Sequence, residues 1–186
     1  MVRKTTIKIL FPLCILLLTI SCHRESSSGY SLTNPSSYFS NLFSLKDDAV
    51  CRGINFNLTA DEVKKAEKAK LYEATADHLF YEFSYPEDST STSEYANLQY
   101  FFNENSQLDI ITIDIFLNDS IQERQLKNTF TEYFKQRYGK SETDSYNYDV
   151  WTGTFEDKKL DKEFKYSVAL KKLENESGIS LEYIRE

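Results

Sequence analysis

Apolar and polar positions alternate with two different periods after residue 57, and the switches between them predict the elements. Leu58-Thr59-Ala60-Asp61-Glu62-Val63 opens a helix. Thr59 is the cap, Glu62 reaches back to its backbone N–H, and Leu58 with Val63 forms a hydrophobic staple. The body, to about Lys70, has only Ala66 and Ala69 beyond Val63 to bury, which predicts a short helix on a flat surface. Period two then takes over. In His78–Tyr85 the residues Leu79, Tyr81, Phe83 and Tyr85 share a face; Pro86 to Glu94 reads as a polar hairpin loop; in Tyr95–Asn103 the face is Ala96, Leu98, Tyr100 and Phe102. Leu108–Leu117 is apolar on both sides, the mark of a central strand.

A second helix begins at Asp119 or Ser120, where Ser120 and Glu123 offer another capping box. Leu126, Phe130, Phe134 and Tyr138 recur along one face, and Gly139 ends it. Three strands follow, Tyr146–Phe155, Phe164–Lys172 and Ile179–Arg185, with a charged loop Glu156–Glu163 between the first two. The expected fold is α+β: two helices packed on one face of a mostly antiparallel sheet of about six strands, in the order α-β-β-β-α-β-β-β. The opposite face is left to solvent or to a partner.

Composition narrows the function. With 29 acidic against 22 basic side chains the formal charge is −7, and no basic stripe exists to displace counterions from a phosphate backbone, which excludes a nucleic-acid partner. A content of 40% hydrophobic and 15% aromatic residues belongs to a folded domain rather than a disordered chain.

The N-terminus reads as an address. Arg3, Lys4 and Lys8 precede an apolar run from Ile9 to Ile20, too short for the roughly 20 residues of a transmembrane helix but suited to a signal-peptide core. Leu18-Thr19-Ile20-Ser21-Cys22 resembles the lipobox of bacterial lipoproteins. The resemblance implies cleavage after residue 21, acylation of Cys22 and, with His23 rather than Asp next, sorting to the outer membrane in preference to the inner. The alternative is an ordinary cleaved signal. Several acyl chains anchor durably, because each buried methylene contributes about 0.8 kcal/mol. Losing residues 1–21 removes three basic and no acidic groups and takes the charge to −10, so electrostatics do not supply the membrane attachment. Residues 22–47 read as the lipidated cysteine with a Ser-rich tether, whose outer half carries Tyr38, Phe39, Leu42, Phe43 and Leu45; residues 48–186 read as one domain.

The stretch from Gly53 through Thr59-Ala60-Asp61-Glu62-Val63-Lys64 resembles the helix opening of a group of exported bacterial domains. That group includes the β-lactamase inhibitor protein and the small lipoproteins accessory to outer-membrane β-barrel assembly. Tyr138-Gly139-Lys140 followed by Trp151, and the closing Ile179–Tyr183 strand, are similar to the second half of related lipoproteins. The resemblance implies a non-enzymatic protein-binding module.

Candidate chemistry is sparse. His23 and His78 are the only histidines and make no metal-ligand spacing; the five glycines, at 29, 53, 139, 153 and 178, build no phosphate loop. Once Cys14 leaves and Cys22 is acylated, Cys51 stands alone, with His78 its only conceivable base; a small buried residue is the expected state. No catalytic residue, metal or cofactor is expected. The surplus is aromatic, 13 Phe, 13 Tyr and one Trp. Phe80 and Phe101 fall opposite the apolar faces of their strands, and Trp151 falls opposite Tyr148 and Val150. These three are the candidate binding residues, expected to meet on the face away from the helices. The expected protein is an envelope-anchored lipoprotein that holds another envelope or extracellular protein, the alternative being a glycan or small ligand stacked on the rings.

Overall fold

The structure, a computed structural model, describes residues 49–84, 94–157 and 160–186. The signal segment, Cys22, the tether and most of the Pro86–Glu94 loop lie outside the described residues. In chain order the elements are α1 (Ala60–Ala66), β1 (Lys70–Ala74), β2 (His78–Ser84), β3 (Tyr95–Phe102), β4 (Leu108–Phe116), α2 (Ser120–Tyr138), β5 (Glu142–Thr143), β6 (Asp149–Asp157), β7 (Lys162–Lys172) and β8 (Gly178–Arg185).

The fold is α+β with both helices on one face of a large antiparallel sheet, but the sheet has eight strands, not six, in the order β1-β2-β3-β4-β8-β7-β6-β5. The two extra strands escape periodicity for a physical reason: β1 is exposed at every residue and β5 has only two, so neither carries a buried face. Each helix therefore precedes four strands, and the second unit enters the sheet in reverse order with β4 paired antiparallel to β8. That is the arrangement produced by a two-fold axis standing perpendicular to the sheet between β4 and β8. Such an axis keeps both helices on the same side, and β4 is indeed internal, as its two apolar faces predict.

The two helices start differently. At α1, Thr59 N–H donates to Glu62 Oε2 at 2.8 Å and the Thr59 hydroxyl donates to the same oxygen at 3.0 Å, so Glu62 turns back as the cap pattern requires. At α2 the cap is Asp119, whose Oδ1 accepts from Ile121 N–H at 2.8 Å and Gln122 N–H at 2.9 Å. Glu123 is instead buried and bolts the helix to the β7–β8 turn, taking the Gly178 N–H at 3.2 Å and the Lys172 ammonium at 3.0 Å. Gly139 ends α2 with φ at +89°, a conformation that favours glycine.

Between sheet and helices lies one core. Leu126, Phe130 and Phe134 of α2 are fully buried, and Phe134 meets Trp151 and Tyr183 at centroid distances of 5.2 and 6.4 Å. The segment before α1 fills the middle: Val50, Cys51, Ile54 and Phe56 are buried, with Phe56 5.6 Å from Phe155 and 5.8 Å from Tyr166. Arg137 ties that segment to α2 by donating to the Ala49 carbonyl at 2.9 Å.

The expected position of Trp151 is corrected here. Trp151 is 2% exposed and faces α2, together with Gly153, Phe155 and Asp157, while Thr152, Thr154 and Glu156 point away. The inner face of β6 is disguised in sequence. At Gly153 an added Cβ would lie 2.4 Å from the Tyr166 ring, so the neighbouring strand supplies the bulk that β6 omits. Among the described residues no helix is long and apolar enough to cross a membrane.

Candidate binding surface

Two places gather unusual chemistry, one under α1 and one on the opposite side of the sheet. Under α1, Arg52 donates to Glu67 through Nε at 2.8 Å and Nη2 at 2.5 Å, and Tyr100 donates its hydroxyl at 2.7 Å. The backbone N–H groups of Lys68 and Ala69 add two more donors at 2.7 and 2.8 Å. Burial acts to raise the Glu67 carboxyl, but the Arg52 hydrogen bonds and charge outweigh it and bring it down to about 2. A carboxylate with five donors and a side chain 1% exposed has no lone pair left for a substrate. The cluster pins α1 to β3.

Cys51 lies beside this cluster, where burial pushes its thiol up to about 12, far from a nucleophilic thiolate. His78 stands on the other face of the sheet, so the only conceivable thiol–imidazole pair is separated by the sheet itself. Among the described residues no group of three or more His, Cys, Asp or Glu is placed to hold a metal ion.

The opposite face is built by register. His78 pairs with Phe101, Phe101 with Ile110, and Ile110 with Ile184, so one row of four half-buried side chains crosses β2, β3, β4 and β8. The His78 ring stacks on Phe101 at 4.7 Å, and its Nε2 is buried without a hydrogen-bond partner. Phe80 lies in the adjacent row, between Glu73 of β1 and Gln99 of β3 with Thr112 beyond, and the Tyr72 ring is 5.9 Å away. A third aromatic pair, Tyr95 and Phe116, stacks at 4.4 Å across β3 and β4, and burial, with help from Glu176 and Glu82, raises the Tyr95 phenol. Tyr72 is 52% exposed, with Lys70 Nζ 4.5 Å above its ring.

Phe80 and Phe101 therefore occupy the expected face, while Trp151 lies on the far side of the sheet from them. Sequence reasoning missed His78, Ile110 and Ile184, because the signal is cross-strand register and not local period. Tyr95 and Phe116 carried the same off-phase signal as Phe80. Both helices and residues 49–58 lie on the other side, and among the described residues nothing covers the row. Comparison with protein-family models, with curated proteins and with solved structures finds no match to this chain.

Proposed function

We propose that this protein is a lipid-anchored, non-enzymatic binding module of a bacterial envelope, attached through Cys22, and that it holds another envelope or extracellular protein on the outer face of β1–β4. One observation carries the reading: the half-buried row His78, Phe101, Ile110 and Ile184, with Phe80 and Tyr72 beside it, on the face that neither helix covers. Apolar rings rimmed by polar groups commonly mark an interaction site. The rim here includes Glu82, Gln99 and Thr112. The lipobox-like end of the apolar run and the opening motif from Gly53 to Lys64 support the same reading from the sequence side.

The test is co-purification in mild detergent from the cells that make the protein, with the double variant Phe80→Ser, Phe101→Ser beside the parent chain. A stoichiometric protein retained by the parent and lost by the variant supports the proposal. Equal retention overturns it, and a glycan that binds the parent and not the variant moves the function to carbohydrate recognition on the same face.

A further inference from the structure

On the helix-covered side, a cleft of about 480 Å³ opens where α2 ends and the chain turns into β5, lined by Thr131, Lys135, Gly139, Lys140, Ser141 and Trp151. Its charge is one-sided. Two lysines, a threonine and a serine are among its lining residues and no acidic residue is, in a chain whose formal charge is −7. Lysines at a helix C-terminus are ordinary partners of the helix dipole. Two further facts set these apart: the cavity they line, and Trp151 at its wall, buried with an indole N–H that has no hydrogen-bond partner. A buried donor left unpaired loses its hydration with nothing in return, and native structures rarely leave one without a purpose. Lysine stems and an indole ring supply the apolar wall, and the ammonium groups supply the charge.

We propose that this cleft binds a small organic anion, its carboxylate or phosphate held by Lys135 and Lys140 and its apolar or aromatic body set against Trp151. The site is independent of the outer sheet face, and a ligand here would also lock the end of α2 to β6.

Trp151 is the only tryptophan in the chain, so emission excited beyond the absorption of the 13 tyrosines comes from the wall of this cleft. Titration with benzoate and with phenyl phosphate should change that emission saturably below about 10 mM, with benzyl alcohol at least about 10-fold weaker. The double variant Lys135→Ala, Lys140→Ala, at two exposed positions, should keep the parent circular dichroism and weaken both anions at least about 10-fold. A response to phenyl phosphate alone assigns a phosphate ligand, and one to benzoate alone a carboxylate. No saturable change with either anion, an equal response to benzyl alcohol, or an unchanged response in the double variant overturns the proposal.

Discussion

The first unit, α1 with β1–β4, and the second, α2 with β5–β8, cover the same kind of sheet by different means. In the second, a helix of 19 residues lays Leu126, Phe130 and Phe134 on the sheet, with Glu123 buried in its first turn. In the first, a helix of seven residues buries only Val63 and is pinned to β3 by the Arg52–Glu67–Tyr100 cluster, while Val50, Cys51, Ile54 and Phe56 fill the middle and reach the second unit at Phe155 and Tyr166. The outer faces differ in the opposite sense. Above β1–β4 stand Tyr72, Phe80, His78, Phe101, Tyr95 and Phe116; on β6 and β7 the outward positions include Thr152, Thr154, Lys165 and Ser167. The two units share a four-strand antiparallel plan and differ in what covers each side of it. The half that buries the Arg52–Glu67 ion pair carries the longer aromatic outer row, while the second half presents the stacked Tyr146 and Tyr148 beside β6.

Breaking the polar layer should have the largest effect. Glu67→Ala leaves Arg52 buried, with its side chain 7% exposed, and should cost about 3–5 kcal/mol by urea denaturation. The pH dependence follows from the sign of the shift. Glu67 ionises at about 2 in the folded chain against an ordinary 4.5, so its contribution is complete above 4.5 and is lost as pH falls toward about 2. Glu67→Gln should therefore flatten that part of the acid limb and leave the neutral-to-alkaline dependence alone.

Breaking the aromatic layer is comparable. Trp151→Ala removes a ring packed 5.2 Å from Phe134 and should cost about 3–5 kcal/mol, read from the same denaturation curves. A loss below about 1 kcal/mol would put Trp151 back on the outer face. The caps sharpen the comparison at smaller scale. Thr59→Ala and Asp119→Ala should each cost about 0.5–2 kcal/mol, with the Asp119 change the larger because its side chain accepts from two backbone N–H groups. The smallest effect belongs to the outer face: Phe101→Thr replaces one residue suited to a strand with another and should change stability by about 1 kcal/mol or less.

Much of this was legible wherever a side chain has a buried face of its own. The four-residue spacing of Leu126, Phe130, Phe134 and Tyr138 defines α2, and the alternation in β2, β3, β7 and β8 places their inner faces. β1 was invisible because Lys70–Ala74 is exposed throughout. The apolar Tyr148 and Val150 point to the wrong phase for β6, because Gly153 occupies an inner position beneath the Tyr166 ring and leaves the true inner face short of bulk. Of the candidate surface, Phe80 and Phe101 stood out as rings on the wrong side of their strands. Their alignment with Ile110 and Ile184 required the pairing of β4 with β8, about 70 residues apart in the chain, and no local period encodes that.

The first unit's outer face, and not the second's, is the surface proposed to hold a partner. A photo-crosslinking residue at Phe101 in one chain and at Thr152 in another separates the two, since both positions look outward from the same side of the sheet. Irradiation of intact producing cells should give a discrete adduct from position 101 and none from position 152. Adducts of equal yield at both positions, or at 152 alone, would contradict the account.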